Sequence, residues 1–364
     1  MNRIVLSRRV FAGVAGVALA ALALAGCSGN GNGGGGTNTT SSSAGTDLSS
    51  LSGTLKASGS TFANPYYQKA LDEFSNVAPN LNITYNAVGS GTGKKEFGSN
   101  ITDFAGTDSL VKEGDGPAAG SFFYIPTVAA PITVSYNLSG VSNLQLSPET
   151  LAKIFQRDIK TWNDPAIKAD NPSATLPNKP IVVAHRSDGS GTTNNFTKYL
   201  TEAVPSVWKL SSGDTVNWPK DTTGGAKNAG VAQIIKSSDG AIGYVDLADA
   251  KAAGLVFASI KNKDGQFVQP TLEGSSAALA GATVKDDLSF DPLNVAGATT
   301  YPITSPTYLL VRTKYDDATK GKNVVAFIKW LLNNGQQFAQ SVNFSTLPPA
   351  LQSKALAQLD KVQT

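Results

Sequence analysis

The sequence predicts an α/β protein with two domains. Beyond residue 50, short strand-like runs alternate with amphipathic helical runs, the pattern of a sheet covered by helices. Three strand-like runs lead into glycine and hydroxyl residues directly ahead of a helical run. A chain of 364 residues is also long enough to build two substantial hydrophobic cores.

The elements can be predicted in chain order. Asn64-Pro65 is typical of a helix start, and apolar residues at helical spacing follow from Tyr67 to Phe74. Leu81–Ala87 alternates apolar and polar residues, which predicts a strand. A second helix is predicted to start at Ser147-Pro148.

The second half of the chain continues this pattern. Ile181–Ala184 is predicted to be a short buried strand, and the helix after it carries Phe196 on its apolar face. The strongest helical pattern runs from Val324 to Leu332 and is predicted to end near Gly335.

Residues 1–26 have the features of a bacterial export signal. A basic head is followed by the apolar run Val10–Gly26, whose 17 residues are fewer than the roughly 20 of a membrane span. Leu24-Ala25-Gly26-Cys27 resembles the lipobox of bacterial lipoproteins, and Cys27 is the only cysteine of the chain. We therefore expect cleavage before Cys27 and acylation of its thiol. Ser7–Phe11 resembles a twin-arginine signal, so the general secretory and twin-arginine routes both stay open.

Composition separates a tether from the folded part and narrows the function. Residues 27–52 are rich in glycine, asparagine, serine and threonine, which predicts a flexible tether. Removal of residues 1–26 takes away three of 30 basic residues, so 27 remain against 27 acidic residues. A formally neutral chain argues against a nucleic-acid-binding protein or a polybasic membrane-surface protein.

Three predicted loops share one design in which small residues precede a helix. They are Gly59–Phe62, Gly89–Gly93 and Asp188–Thr192. Each would present free backbone N–H groups and the positive end of a helix dipole, so the three loops could converge on one anion. The second loop does not fit a nucleotide P-loop, because Gly89 is one position too close to Gly93-Lys94 and Lys95 replaces the serine or threonine.

Arg186 favours the interpretation of an anion site. Its planar guanidinium can bind a tetrahedral oxyanion with two parallel hydrogen bonds, and Asp188 could hold the guanidinium in place. Ser190-Gly191-Thr192 would add hydroxyl and backbone donors on the same side.

Catalytic groups are scarce in this chain. The only histidine, His185, excludes a zinc site with several histidines, and we expect no metal and no cofactor. His185 lies at the end of a predicted buried strand beside Arg186, where a cation would lower the basicity that a general base needs.

Dispersed motifs over residues 55–350 carry a resemblance to a known family. They are Gly59–Phe62 with Pro65, Gly89–Gly91 with Gly93, Asp103–Asp108, Pro126–Val128, Ile159–Trp162, Arg186–Thr192, Gly240–Tyr244 and Tyr301–Thr304. With these motifs the sequence resembles the phosphate-binding lipoproteins of bacterial phosphate ABC transporters, the PstS family of periplasmic solute-binding proteins. Ala63 and Thr92 depart from the family pattern, where proline and glycine are usual.

The resemblance implies a fold and a domain arrangement. The fold is the two-domain periplasmic-binding-protein (Venus-flytrap, type II) fold, with the ligand in a cleft between domains that close by hinge motion. Domain I would comprise residues 53–130 and 255–364, and domain II residues 131–254. The chain would cross between them near Ala130 and Gly254.

The resemblance also implies a phosphate site and a role for each residue. Asp108 would accept a hydrogen bond from the protonated phosphate oxygen, and Arg186 would bind bidentately with Asp188 orienting it. The remaining donors would be Thr61, Phe62, Ser90, Ser190, Gly191 and Thr192.

The expected function is capture of inorganic phosphate outside the membrane and delivery to an ABC permease, with no chemistry on the ligand. We expect a lipid-anchored monomer with no nucleic-acid partner. Three alternatives stay open: a receptor for sulfate or molybdate, a secreted phosphatase with Ser190 as nucleophile, and a phosphate sensor or adhesin.

Overall fold

The structure of the protein is a computed structural model that describes residues 47–364. The expected export signal, Cys27 and the tether up to residue 46 lie outside the described residues. Residues 47–52, the end of the expected tether, contain a 3-10 helix at Leu48–Ser50 that Asp47 caps. Leu48 and Leu51 pack against the core, so this part of the segment is joined to the fold.

Strands and helices alternate through the described residues, as the sequence predicts. The strands are β1 Gly53–Gly59, β2 Leu81–Ala87, β3 Phe104–Thr107, β4 Phe122–Asn137, β5 Gln145–Leu146, β6 Val182–Arg186, β7 Thr223–Gly225, β8 Ala241–Asp246, β9 Val256–Phe257, β10 Ser259–Lys261, β11 Phe267–Val268 and β12 Thr304–Arg312. The helices are α1 Asn64–Ser75, α2 Ser90–Gly98, α3 Pro148–Phe155, α4 Pro165–Asp170, α5 Gly191–Ala203, α6 Lys227–Ser237, α7 Leu247–Ala252, α8 Leu272–Gly281, α9 Ala318–Asn333 and α10 Pro349–Leu359.

The long strand β4 joins two halves of one sheet. Up to Pro131 it pairs antiparallel with β12, which continues through β3 and β1 to β2. From Ile132 it pairs antiparallel with β8, which continues through β6 to β7. We call the strands β1, β2, β3 and β12 half-sheet 1, and the strands β6, β7 and β8 half-sheet 2. The change of partner inside one strand makes β4 the covalent link between them.

The parallel strands of each half-sheet set the position of the loops that follow them. β1 pairs parallel with β2 and β3, and β6 pairs parallel with β7 and β8. Because parallel strands end at the same edge, the loops after β1, β2 and β3 lie side by side. The loops after β6 and β7 do the same in half-sheet 2.

The predicted elements match the observed ones with small shifts. β2 has the predicted bounds, α1 and α3 begin at the predicted starts, and the side chain of Ser147 caps α3 as its sequence indicates. The strand predicted at Ile181–Ala184 extends to Arg186, so His185 lies inside β6. α9 ends at Asn333, close to the predicted stop near Gly335.

One large hydrophobic core runs through both half-sheets, and a smaller cluster lies under α6 and α7. Aromatic side chains fill much of it, including the fully buried Trp162 and Tyr301. Among residues 47–364, no helix combines the length and the apolar character needed to cross a membrane.

Candidate functional site

The three small-residue loops predicted from the sequence lie where strands end and helices begin. The first follows β1 and leads into α1, the second follows β2 and leads into α2, and the third follows β6 and leads into α5. The helices begin earlier than the sequence suggests, because Ser90–Gly93 forms the first turn of α2 and Gly191 opens α5. Both helices therefore turn N–H groups without intrahelical acceptors toward their preceding loops.

Asp108 follows β3 and is the buried carboxylate of the site, with 2% of its surface exposed. Its Oδ2 accepts hydrogen bonds from Ser60 Oγ at 2.7 Å and from Ser90 Oγ at 3.2 Å. Its other oxygen, Oδ1, is buried and has no partner among the described residues, and neither has the hydroxyl of Thr61 in the adjoining loop. Buried polar groups rarely stay unpaired, so these two atoms are available to a further polar partner.

The pKa of Asp108 is raised to about 6, mainly because burial disfavours the charged carboxylate. Hydrogen bonds from Ser60 and Ser90 and the charge of Arg186 act in the opposite direction. At neutral pH the carboxylate is therefore still mostly ionised, and Oδ1 is an acceptor.

Arg186 ends β6 with its side chain 1% exposed. Its Nε donates to Asp188 Oδ1 at 2.8 Å, Nη2 donates to Asp188 Oδ2 at 2.5 Å, and Nη1 donates to Asn228 Oδ1 at 2.7 Å. A guanidinium has five N–H groups, so one remains on each terminal nitrogen, as bidentate binding of an oxyanion requires. Although burial acts to raise it, the hydrogen bonds and charge of Arg186 hold the pKa of Asp188 below its ordinary value.

Ser190 is the N-cap of α5 and is fully buried. Its Oγ accepts from the Thr193 N–H at 3.1 Å, and its own N–H donates to the backbone oxygen of Asp214 at 2.9 Å. The hydroxyl proton of Ser190 remains available, as do the N–H groups of Gly191 and Thr192 in the first turn.

The loops from the two half-sheets touch each other. The N–H of Gly91 donates to the backbone oxygen of Gly189 at 3.1 Å. A Cβ atom on Gly191 would lie 2.6 Å from Ser90 Oγ and 2.7 Å from Asp108 Cβ. Only glycine permits this approach, so the third loop closes directly over the Asp108 carboxylate.

The structure thus brings the predicted ligand residues into adjoining loops. Thr61 and Phe62 follow β1, Ser90 follows β2 and Asp108 follows β3, all strands of half-sheet 1. Arg186 ends β6 of half-sheet 2, and α5 follows that strand. The ring of Phe62 is buried against Phe344, so only its backbone faces the site. Its N–H makes no hydrogen bond within residues 47–364.

Sequence reasoning missed several polar residues that support the site. They are Ser60, Lys94, Asn195, Asn228 and Tyr244. Ser60 belongs to a motif that the sequence singled out, so its role could have been found. Tyr244 also belongs to a quoted motif, Gly240–Tyr244, but its bond to the Arg186 N–H joins distant segments. The partners of Lys94, Asn195 and Asn228 also lie far away in sequence, so no local pattern indicates them.

Asn195 and Lys94 each connect the two half-sheets. Asn195 on α5 donates from Nδ2 to the backbone oxygen of Asp108 at 2.6 Å and to Ser305 Oγ at 3.1 Å.

Lys94 on α2 is 1% exposed, and its Nζ lies 2.8 Å from Asp115 Oδ2 and 3.0 Å from Asp214 Oδ2. The angle between Lys94 Nζ and Asp214 Oδ2 does not suit a hydrogen bond, so this contact is an ion pair only. Because Asp214 also holds the N–H of Ser190, this ion pair joins the start of α2 to the start of α5.

The arrangement does not favour nucleophilic or metal chemistry. The His185 ring stacks on Trp218 with the ring centroids 4.9 Å apart, and its Nδ1 lies 2.9 Å from the backbone oxygen of Arg186. Burial lowers the pKa of His185. Among the described residues, Ser190 Oγ has no hydrogen bond to a basic side chain, and no cluster of acidic, histidine or cysteine side chains could hold a metal ion.

Comparison with known proteins defines the class. Residues 38–334 match the model of a PBP superfamily domain. A high-affinity periplasmic phosphate-binding protein, PfluDING, solved with bound phosphate, superposes with a TM-score of 0.69 at 23% identity, covering 84% of this chain and 93% of that one. A phosphate-binding protein from Stenotrophomonas maltophilia gives a TM-score of 0.64 at 22% identity, covering 84% and 94%. These likenesses confirm the expected periplasmic-binding-protein fold.

Closer sequence relatives define the family. The phosphate-binding protein PstS of Pasteurella multocida is 34% identical over 317 residues, covering 85% of this chain and 91% of its own length. PstS 3 of Mycobacterium leprae is 36% identical over 315 residues, covering 83% and 85%. The chain belongs to the PstS family of phosphate-binding proteins, and the resemblance in its motifs is confirmed.

The buried Lys94 ion pair makes a prediction about stability. Lys94→Met removes the ammonium but keeps the stem, leaving Asp115 and Asp214 without their cation in a partly buried place. We expect the free energy of unfolding, measured in urea, to fall by about 3 kcal/mol. The matched control is Lys198→Met, because Lys198 pairs with Asp291 at a site where both side chains are more than a third exposed. That change should cost less than about 1 kcal/mol, and equal losses would contradict the role of Lys94.

Proposed function

We propose that this protein binds inorganic phosphate outside the cell membrane and delivers it to an ABC-type phosphate permease. The observation that carries this proposal is that adjoining, buried loops contain both unused donors and an unused acceptor. The donors are the Thr61 hydroxyl and two N–H groups of Arg186, and the acceptor is Asp108 Oδ1. A tetrahedral oxyanion that keeps a proton satisfies both kinds of group. The names of the PstS relatives support the same ligand.

Each ligand contact has a structural basis. Arg186 supplies two N–H groups from adjacent nitrogens, and Asp108 accepts from the protonated ligand oxygen. The other proposed donors are hydroxyl and backbone N–H groups at the loops and at the starts of α2 and α5: Thr61, Phe62, Ser90, Ser190, Gly191 and Thr192. Ser90 and Thr192 would donate from the backbone, because their hydroxyls donate to Asp108 Oδ2 and Asn228 Oδ1. Asp188 binds the guanidinium rather than the anion.

A receptor for sulfate or molybdate is the main alternative on the same fold. Sulfate carries no proton at neutral pH, so Asp108 Oδ1 would face a negative oxygen at short range in a buried site. Sites that require a donated hydrogen bond can reject ligands that lack it by about 10⁴-fold. Asp108 therefore favours phosphate.

The alternative in which the protein is an enzyme is a secreted phosphatase with Ser190 as nucleophile. Ser190 already caps α5, and the ring of His185 is held by Trp218 and a backbone oxygen. The family consists of binding proteins, which supports binding without chemistry. Turnover of a chromogenic phosphate ester would favour the enzyme instead.

A phosphate sensor or adhesin would bind phosphate equally well. Phosphate uptake, measured in cells with and without the protein, distinguishes a sensor or adhesin from a transport receptor.

The proposed location is the outer face of the cell membrane, with the chain anchored through a lipid on Cys27 and acting as a monomer. The lipobox-like Leu24–Cys27 supports the anchor. The formally neutral composition of the chain after residue 26 gives no reason to expect a nucleic-acid partner.

The proposed domains follow the half-sheets. The partner change of β4 after Pro131 agrees with a crossing near Ala130. The second crossing, expected near Gly254, stays a prediction. β10 still pairs with β5 at Gln145–Leu146, whereas β12 belongs to half-sheet 1, so the pairing favours a later crossing, between Val268 and Thr304.

Titration calorimetry of the purified protein with phosphate tests the proposed function. Arg186→Met should lower the binding free energy by about 2 kcal/mol or more, because it removes the charge and both donors. Arg186→Lys should recover only part of this loss, since an ammonium cannot bind bidentately. A lysine variant that binds as tightly as the original protein would refute the assigned role of Arg186, and absence of phosphate binding would refute the function.

Competition titrations test Asp108. At pH 8 arsenate should displace phosphate, while a roughly thousandfold excess of sulfate should not. The raised pKa means that the carboxyl is ionised above about pH 6 and neutral below it. A neutral Asp108 has an O–H to donate, so competition by sulfate should strengthen as the pH falls from 8 to 5, by up to about tenfold per unit below the pKa. Asp108→Asn, which cannot ionise, is the control: it keeps the pH dependence that the ionisation of phosphate itself causes and should lose the part that comes from the carboxyl. Sulfate competing equally with phosphate at pH 8 would contradict the assignment.

Cell fractionation tests the anchor. Cys27→Ser removes the thiol that would be acylated, so the protein should move from the membrane fraction to the soluble fraction. Its affinity for phosphate should not change, because more than 20 residues separate Cys27 from β1. Retention of the variant in the membrane fraction would show that the anchor is not a lipid on this cysteine.

A further inference from the structure

Asn228 lies in the first turn of α6, is fully buried, and belongs to none of the loops predicted to bind the ligand. Its Oδ1 accepts a hydrogen bond from Arg186 Nη1 at 2.7 Å, and Thr192 Oγ1 lies 3.3 Å from the same oxygen. Both neighbours belong to the proposed phosphate site. Asn228 therefore lies behind the guanidinium of Arg186, the group that is proposed to bind the anion.

The orientation of the Asn228 amide follows from its two neighbours. On the other side from Arg186, Nδ2 donates to Asp246 Oδ2 at 2.7 Å. A guanidinium can only donate, so the amide atom facing it must be the oxygen. Asp246 is itself fixed, because it ends β8 and its Oδ1 caps α7 through the N–H of Asp249 at 2.8 Å. These hydrogen bonds, from Asn228 to Asp246 and from Arg186 to Asn228, thus fix the Arg186 guanidinium relative to the core.

The neighbouring residue completes the support. The backbone N–H of Lys227 donates to Asp188 Oδ1 at 2.9 Å, and Lys227 adopts a left-handed conformation with φ of +62°. This conformation is unfavourable for a residue other than glycine, and such strain persists where the surroundings impose it. Two adjacent residues therefore hold both members of the Arg186–Asp188 pair.

The strands explain why these residues meet. β7 pairs parallel with β6, and Gly225 lies opposite Arg186 in this register. The chain leaves β7 at the same edge where Arg186 leaves β6, and α6 begins two residues later. Asn228 is 42 residues from Arg186 in sequence and adjacent to it in space.

We propose that Asn228 is a positioning residue for phosphate binding, which holds the Arg186 guanidinium so that its two free N–H groups meet the anion together. This rests on the proposed function. Asp188 fixes one edge of the guanidinium and Asn228 fixes the nitrogen that Asp188 does not reach. Without Asn228, Nη1 loses a buried acceptor and the guanidinium can rotate away from the bidentate geometry.

A double-mutant cycle measured by phosphate titration tests this proposal. Asn228→Ala should weaken binding by roughly 10- to 100-fold in the original protein. In an Arg186→Met background the same change should alter affinity by less than about threefold, because no guanidinium remains to be positioned. Asn228→Ser keeps a shorter hydroxyl acceptor and should lose less affinity than Asn228→Ala, and it decides the question if the alanine variant does not fold.

The matched control is Asn171→Ala. Asn171 is also a buried asparagine of the same half of the protein, but its amide holds the backbone of Gln145 and Ile167, away from the site. This variant should unfold at a lower urea concentration and keep its phosphate affinity. Affinity of Asn228→Ala within threefold of the original, or an equal loss in both backgrounds, would overturn the proposal. If Arg186→Met weakens binding and Asn228→Ala does not, only this inference fails; if the original protein does not bind phosphate, the proposed function fails.

Discussion

The buried charge of Arg186 is the constraint on which the site depends. A guanidinium with 1% of its side chain exposed must replace the hydrogen bonds that water would give it. Asp188 and Asn228 satisfy three of its five N–H groups, and each of these partners is held by a further contact, to Lys227 and to Asp246. The two N–H groups that remain are therefore fixed in direction as well as in number. The proposed bidentate recognition of an oxyanion depends on this rigidity as well as on the charge.

Selectivity in the proposed phosphate site comes from hydrogen bonds rather than from an attractive field. The cation Arg186 is outnumbered by the carboxylates of Asp108 and Asp188, and the chain after residue 26 is formally neutral. Long-range attraction of anions is correspondingly weak. Local groups must supply the binding energy, namely the N–H groups at the starts of α2 and α5, the hydroxyls and the remaining N–H groups of Arg186. A buried acceptor among so many donors then distinguishes a protonated anion from an unprotonated one.

Local sequence patterns predicted the parts of the fold that local chemistry controls. Ser147 caps α3 at the predicted helix start, because an N-cap depends on residues within one turn. Arg186 and Asp188 were found because they are two residues apart. Asn228 and the Lys94–Asp214 ion pair were not found, because their partners are brought together by β7 pairing with β6 and by contact between the half-sheets. The family resemblance implied the proposed ligand residues and the orienting role of Asp188, but not the other residues that hold them in place.

In the proposed function, closure of the two halves and binding of the anion are coupled through the same unsatisfied groups. Bringing the two halves together without an anion would bury Asp108 Oδ1, the Thr61 hydroxyl and two N–H groups of Arg186 without partners. Each such group costs about 1–3 kcal/mol, so together they oppose closure more strongly than any single contact favours it. The contacts of Asn195 with Asp108 and of Lys94 with Asp214 favour closure whether or not an anion is bound. An anion that satisfies all the groups removes the opposing cost, and its differential affinity for the closed form shifts the population toward it. An anion without a proton leaves Asp108 Oδ1 unpaired and removes less of the cost, so discrimination between ligands and discrimination between conformations have one physical origin.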